Sequence, residues 1–557
     1  MEKSRTEDGL VVKVVIIGGV AGGMSAATRL RRLREDAEII VYEKGPYVSF
    51  ANCGLPYFIG GVIDKKDSLL LQTPESLWNR FRLDVRVNTE VTKIDRPNKT
   101  ITAVNKETGE QQEDYDYIII SPGANPRKLP IEGIERAVVL KDVEDSVRIK
   151  EMVDAGEIKS AAILGAGFIG VELAENLVHR GVKTTLVEFR DHILPQFDIE
   201  MIEPFQAHLN KNGVEIAVSA ETERIDGHSL TLKDGRVIDA DLVVSSVGVV
   251  ADSKLAELAG LEMGSAGGIK VDENLRTSDP NIFAVGDAVE KQSLITDQPQ
   301  MIWLANLANR HGRLVADVIA GETEPARRSI GTGIIGAFGM AAALTGITES
   351  LAQRMGIDYQ AIHLHPGSHA GYYPGSERIS LKVLFEPKTG KLLGAQSVGK
   401  DGADKRIDII ATAIYAGLSV NDLMNLELAY SPQFGSAKDA INHAGYVGNN
   451  VLENKSPNVH WSQLDEEIGR GVKILDVRSQ SEFDRGHIPG AILAPVDQLR
   501  DQLDELVGSE YVVHCAVGQR AHTAIQILAS KGIKAKNLSG GYTTWKFAQD
   551  ALARNEV

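Results

Sequence analysis

Twice in this chain a hydrophobic strand runs into a glycine-rich turn and then a helix, and each time the next strand ends on a glutamate. In the first copy the strand covers 11–17, the turn reads Gly18-Gly19-Val20-Ala21-Gly22-Gly23, the helix runs through 34, and a strand over 39–42 delivers Glu43. In the second, a strand over 161–164 precedes Gly165-Ala166-Gly167-Phe168-Ile169-Gly170, the helix reaches 179, and a strand over 184–187 delivers Glu188. Strands that are apolar throughout are buried on both faces, which calls for a parallel sheet covered by helices. The turn glycines bring a helix N-terminus, with its unpaired N–H groups, up to a pyrophosphate, and the acid accepts from a ribose hydroxyl. The second copy has the full Gly-x-Gly-x-x-Gly spacing, whereas Val20 stands at the middle position of the first. Two such units imply two nucleotides and an electron pair passing between them.

At 557 residues the chain is too long for one hydrophobic core. The two nucleotide units fall in 1–150 and 151–250, and a further block covers 251–330. A third domain follows at 331–448, then a polar linker at 449–458 and a small domain at 459–557. A formal charge of -16 disfavours nucleic acid and anionic membranes as main partners. Two cysteines in this length exclude a disulfide-stapled scaffold. Residues 1–10 are polar, without a signal-peptide core, and the longest apolar stretch, 331–347, is broken by glycines and shorter than a membrane span. The expectation is a cytoplasmic protein with no membrane insertion. No metal-ligand spacing stands out.

One of the two cysteines, Cys53, lies just behind the first nucleotide unit in Ser49-Phe50-Ala51-Asn52-Cys53-Gly54-Leu55-Pro56-Tyr57. Gly54, Leu55 and Pro56 suit a turn into a helix, and N–H groups at a helix start favour a thiolate. Cys53 is therefore the candidate reactive atom. Glu188 disfavours a 2′-phosphate, so the expected reductant is NADH, with NADPH less favoured.

The segment Asn281-Ile282-Phe283-Ala284-Val285-Gly286-Asp287-Ala288 resembles the second FAD motif of the pyridine-nucleotide disulfide reductases. That resemblance implies FAD in the first site, with Asp287 near its ribityl and phosphate region and Lys44, Val91 and Ser121 among its contacts. It also implies that 1–150 and 251–330 are two parts of one nucleotide domain, with the second nucleotide domain at 151–250 between them. Two-cysteine members carry Cys-x-x-x-x-Cys; here Phe58 occupies the second position. The stretch around Cys53 is similar to the single-cysteine coenzyme A-disulfide reductases, in which the thiolate carries CoA as a mixed disulfide. The resemblance runs from about 12 to 448. Ser25, Arg29 and Arg32 are spaced to share one helix face; with Ser49, Asn52 and Lys438 they match positions lining the family's CoA channel. It further implies a homodimer formed through the third domain. Tyr430, in Glu427-Leu428-Ala429-Tyr430-Ser431-Pro432, and Tyr372, in Gly371-Tyr372-Tyr373-Pro374-Gly375, resemble the tyrosine pair that approaches the sulfur, with the choice between Tyr372 and Tyr373 left open. NADH oxidases and peroxidases, which hold the single cysteine as a sulfenic acid, are the nearest alternative; a redox or sulfur sensor is another.

In the last block, Ile474-Leu475-Asp476-Val477-Arg478 and Glu482-Phe483-Asp484-Arg485-Gly486-His487-Ile488-Pro489-Gly490-Ala491 resemble the rhodanese family. The second cysteine opens Cys515-Ala516-Val517-Gly518-Gln519-Arg520 before another helix, a nest suited to a persulfide anion that Arg520 closes. Many rhodaneses have arginine after the cysteine; Ala516 here points away from thiosulfate and toward a less anionic donor. The expected fold class is α/β: two Rossmann-like domains for FAD and NAD, an α+β dimerisation domain and a C-terminal α/β rhodanese domain. The expected activity passes electrons from NADH through FAD to Cys53, which reduces CoA disulfide, CoA persulfide or polysulfide, while Cys515 delivers or accepts sulfane sulfur.

Overall fold

The computed structural model describes residues 5–6, 9–322 and 325–555. Of the polar N-terminal stretch, residues 1–4, 7 and 8 therefore lie outside the described residues. Chain contacts form two compact units, residues 1–186 with 222–329, and residues 187–221 with 330–557.

The core of the first unit is a five-stranded parallel sheet in the order Ile282–Ala284, Tyr117–Ile120, Lys13–Ile17, Glu38–Tyr42, Asp84–Arg86. Side chains alternate across a strand, and both faces of Lys13–Ile17 are covered. Val14 and Ile16 pack with Met24, Ala27 and Leu30 of the Ala21–Leu33 helix and with Val315 and Ala316 of the Ala305–Ile319 helix. Val15 and Ile17 face Val91, Ile94, Ile101 and Ala103 of an antiparallel sheet built from Thr89–Asp95, Thr100–Asn105 and Gly109–Asp114. Because Ile282–Ala284 pairs in register with Ile118–Ile120, the chain returns to this sheet after a long excursion. The excursion contains the second glycine turn: Ser160–Leu164 runs parallel to Leu242–Ser245 and leads into the Phe168–His179 helix.

The second unit holds an antiparallel sheet in the order Gly333–Ala337, Met340–Gly346, Leu392–Gly399, Ile379–Phe385, Gln360–Leu364, with the Ala403–Tyr415 helix packed on it. Every residue of Ile379–Phe385 is buried, including Lys382 at 0 % exposure. Its ammonium donates to Asp198 (2.8 Å), Glu200 (2.6 Å) and Glu349. These three carboxylates are close enough to hold a cation, and Lys382 is that cation. The C-terminal block is a parallel sheet in the order Asn458–Val459, Ala535–Leu538, Tyr511–His514, Lys473–Asp476, Ile492–Leu493. It joins the antiparallel sheet through buried and half-buried polar bonds. The His363 N–H donates to Ser539 Oγ (3.0 Å), His365 Nε2 bonds Thr544 Oγ1 (2.8 Å), and the Asn458 amide donates to the Ala361 carbonyl (3.0 Å).

The stretch expected as a linker, 449–458, begins inside the Ala440–Leu452 helix and ends on a strand residue. Asp439 and Asn442 cap that helix in a reciprocal box, and Ala440, Ile441, Ala444 and Gly448 bury its inner face. Asn449 and Asn450 are polar because they lie at its C-terminal end, not because the chain is loose there. Among the described residues no helix is long and apolar enough to cross a membrane.

Candidate functional site

The glycines of the two turns are required for different reasons. At Gly18 φ is +103°, and a Cβ there would sit 2.1 Å from the Ser121 carbonyl oxygen; at Gly23 it would sit 2.0 Å from the Gly18 oxygen. A Cβ at Gly165, φ +92°, would sit 2.6 Å from the Ser246 oxygen, and one at Gly170 would sit 2.1 Å from the Gly165 oxygen. These four hold strand, turn and helix together. Gly167 caps the Phe168–His179 helix, and a Cβ there would meet no protein atom within 4 Å. It therefore leaves open space where a phosphate can approach the helix N–H groups. Val20 takes the equivalent capping position before Ala21–Leu33, and Ala21 and Gly22 open that helix. Glu43 accepts the Gly19 N–H on one oxygen and the Gly45 N–H on the other, both at 2.8 Å. Each oxygen keeps a lone pair for a ribose hydroxyl. Lys44 is held by Asp252 (3.1 Å), Val91 packs on the parallel sheet, and Ser121 donates its N–H to Ile17 (2.7 Å). Asp287 lies in the Gly286–Ala288 turn, its pKa raised by burial and opposed by Lys291. Glu188, in the second unit, accepts the Arg190 N–H (2.9 Å).

Cys53 sits in the 3-10 turn Asn52–Gly54, two residues ahead of the short Leu55–Ile59 helix with Pro56 in its first turn. The thiol is exposed to solvent on one side. Desolvation, then the carboxylates of Glu172 and Asp287, push the Cys53 thiol up, against a backbone hydrogen bond that favours the thiolate as expected. A five-residue helix supplies too small a field to offset them. Phe58, at the second-cysteine position, is buried, with Lys150 5.5 Å from its ring centroid, so it serves as packing.

Sequence reasoning missed Glu172. It lies two residues beyond Gly170 and accepts a hydrogen bond from the Tyr57 hydroxyl (3.3 Å), one turn past Cys53. Burial raises its carboxyl to about 7. Its place just inside the fingerprint helix is a usable signal; its approach to Cys53 is not readable along the chain, because it depends on packing between the Leu55–Ile59 and Phe168–His179 helices.

Of the helix face Ser25, Arg29, Arg32, two members are engaged by the neighbouring Ala305–Ile319 helix. Ser25 donates to Asn309 (2.7 Å) and Arg29 pairs with Asp317 (2.6 Å). Arg32 is exposed, its guanidinium 5.0 Å from the centroid of Phe81. Ser49 adopts a φ of 52° and donates its N–H to the Gly19 oxygen (2.8 Å), and Asn52 is exposed beside Cys53.

In the second unit the Tyr372 and Tyr430 hydroxyls are 2.9 Å apart, with Tyr372 76 % exposed. Tyr373 instead packs edge-on against His369, so Tyr372 is the partner of Tyr430. Lys438 is exposed immediately before the Asp439 cap.

Cys515 follows the Tyr511–His514 strand and is 1 % exposed. Its Sγ accepts the Gly518 N–H (3.2 Å), where Gly518, φ +92°, caps the Gln519–Ala529 helix. Arg520 faces this sulfur and makes a bidentate pair with Glu482, at 2.7 and 2.6 Å. That hydrogen-bonded guanidinium holds the Glu482 carboxyl down at about 2. Sequence reasoning places Arg520 at the loop but misses its partner, although Ser479-x-x-Glu482 carries the capping-box spacing.

The family described as pyridine nucleotide-disulphide oxidoreductase matches residues 12–312, and its dimerisation domain matches residues 336–440. The chain belongs to this family. A rhodanese-like domain matches residues 460–548. Among curated relatives, a coenzyme A disulfide reductase of Staphylococcus aureus strain JH9 is 35 % identical over 436 residues, 78 % of this chain and 99 % of the relative. Among solved structures, the reduced CoADR-RHD of Bacillus anthracis superposes with a TM-score of 0.95 at 43 % identity, covering 97 % of this chain and 98 % of that one. An NAD-dependent persulfide reductase from A. fulgidus does so with a TM-score of 0.90 at 37 % identity, over 96 % and 100 %. Both solved structures extend over the C-terminal block. As a member of the pyridine nucleotide-disulphide oxidoreductases, the chain is a mixed α/β flavoprotein oxidoreductase that uses FAD and NAD(H), with a rhodanese domain at its C-terminal end. The glycine cradles fit such cofactors: the close approaches at Gly18, Gly23, Gly165 and Gly170 shape each turn, and the space at Gly167 stays clear.

Proposed function

We propose that this oxidoreductase uses NADH to reduce the sulfur–sulfur bond of CoA disulfide, CoA persulfide or polysulfide at Cys53, and handles sulfane sulfur at Cys515. The observation that carries the reading is that Cys53 stands at the nucleotide-binding unit with Phe58 where a second redox cysteine would be. A single thiol there must take its sulfur partner from the substrate. Gly18, Val20, Ala21, Gly22, Gly23, Glu43, Lys44, Val91, Ser121 and Asp287 would hold FAD, which would supply the electron pair, and Gly165, Gly167, Gly170 and Glu188 would hold the NADH that provides it. The Cys53 thiolate attacks one sulfur of the substrate, forming a mixed disulfide and releasing the other sulfur as a thiolate or hydrosulfide. Two electrons then restore Cys53 and free the second sulfur, and with both products protonated, as thiol or hydrogen sulfide, each turnover consumes one NADH and one proton. Glu172, with a carboxyl near neutrality beside Tyr57, can hold and return that proton. Ser25, Arg29, Arg32, Ser49, Asn52 and Lys438 bind the CoA moiety, and Tyr372 and Tyr430 position or protonate the leaving sulfur. The protein works as a homodimer through residues 331–448, on small-molecule sulfur substrates.

Stopped-flow under anaerobic conditions tests this. With Cys53→Ser, NADH still reduces the flavin, because hydride transfer needs no thiol, whereas turnover with CoA disulfide and CoA persulfide falls to background. Full turnover in that variant would overturn the reading.

A further inference from the structure

Three cation-forming side chains at or beside the Cys515 loop, Arg520, Arg478 and His514, are paired or neutral. Arg520, whose guanidinium also hydrogen-bonds the Cys515 sulfur, is bound through both terminal nitrogens by the Glu482 carboxylate. Glu482 is itself fixed: it accepts the Ser479 N–H and hydroxyl, both at 3.0 Å, as the third residue of a capping box. Arg478, 4.2 Å over the ring of Tyr542, makes a second bidentate pair with buried Asp476 and donates to the Gly486 oxygen. Tyr542 in turn donates its N–H to the Cys515 oxygen, so this pair borders the loop. His514 is buried, and desolvation lowers it to about 4, leaving it neutral at neutral pH. Ala516 adds no charge.

Resting on the reading of Cys515 as a sulfur-transfer centre, we infer that Glu482 sets its donor specificity: by pairing with Arg520 it neutralises the loop's cation, which selects persulfides over dianionic thiosulfate. With the thiolate, Arg520 and Glu482 counted together, the loop carries one net negative charge; without Glu482 it carries none. Both donors transfer the same sulfur. An alkyl persulfide, R–S–SH, gives its outer sulfur to the Cys515 thiolate, forming Cys515–S–SH and releasing RS⁻. Thiosulfate would give Cys515–S–S⁻ and release sulfite, but it must first bring two negative charges to a loop whose guanidinium is engaged. The Gly518 N–H, 3.2 Å from Sγ, stabilises the bound persulfide in either case and does not discriminate. Discrimination of this kind works by repelling the wrong donor.

The test measures kcat/KM of the full-length enzyme for sulfur transfer to cyanide, with thiosulfate and with an uncharged alkyl persulfide as donors. The variants are Glu482→Gln and, because Glu482 also caps a helix, Ala516→Arg, which adds a cation without disturbing the pair. In both variants the ratio of thiosulfate to persulfide activity rises by about tenfold or more at low ionic strength, and the rise shrinks as salt screens it. Glu482→Asp keeps the charge and keeps the ratio low. An unchanged ratio in both Glu482→Gln and Ala516→Arg overturns the inference while leaving sulfur transfer by Cys515 standing. A wild-type enzyme that takes sulfur from neither donor, with no mass gain of one sulfur atom at Cys515, overturns the sulfur-transfer reading itself.

Discussion

At Cys53 the electrostatics of the chain oppose ionisation. Desolvation and two carboxylates raise the thiol, and one of those carboxylates, Glu172, titrates at about 7. Below that pH Glu172 is neutral and adds no repulsion; above it, its negative charge repels the Cys53 thiolate. Glu172→Gln removes the repulsion, so the pH midpoint for Cys53 alkylation falls, by about one pH unit. The measurement follows iodoacetamide incorporation against pH in the flavoenzyme carrying Cys515→Ser, where Cys53 is the only thiol. A midpoint that does not move would show that Glu172 does not act on this sulfur. The same residue scale separates the tyrosines: Tyr372 shares a hydrogen bond with Tyr430, which raises the Tyr372 hydroxyl, while Tyr373 is spent on His369.

Within the strand–turn–helix elements the glycines divide into those that shape the protein and the one that leaves room for a ligand. Gly170→Ala places a methyl 2.1 Å from the Gly165 carbonyl oxygen, a backbone atom that cannot swing away. It lowers the stability of the first unit by about 1–3 kcal/mol. Gly167→Ala meets no protein atom, so denaturant unfolding of the cofactor-free chain changes by less than about 0.5 kcal/mol, while KM for NADH rises. Unfolding curves and NADH kinetics on the same two variants make the comparison. Elements also account for two features that local sequence conceals: a capped helix reads as a linker over 449–452, and Ile379–Phe385 gives no local sign that its Lys382 is the centre of a buried ionic cluster.

For the whole molecule, buried histidines make folding sensitive to acid. Desolvation lowers His311, His460 and His514 to about 4 and His365 to about 3. Each remains neutral in the folded protein at pH values where the unfolded chain, near 6.5, takes up a proton. Below about pH 6.5 the unfolded state therefore binds more protons, and stability falls as pH falls toward 4, by at most about 1.4 kcal/mol per pH unit for each histidine. Thermal unfolding between pH 7 and 4.5 shows this as a declining midpoint. His365→Gln, whose amide can still reach Thr544, makes the decline shallower; an identical slope would remove His365 from the account.

Local chemistry determined what the sequence could disclose by itself. Strand hydrophobicity, glycine spacing, the two cysteines and their following turns act over a few residues, so the nucleotide units, the loop at Cys515 and the α/β class are all legible in the order of residues along the chain. Tertiary structure alone decided which charges meet. Arg29 is answered by Asp317, 288 positions away, Lys382 by Asp198 at 184, and Arg520 by Glu482 at 38. A side chain's charge, burial and pKa depend on the groups that packing brings against it, and no periodicity along the chain encodes those neighbours.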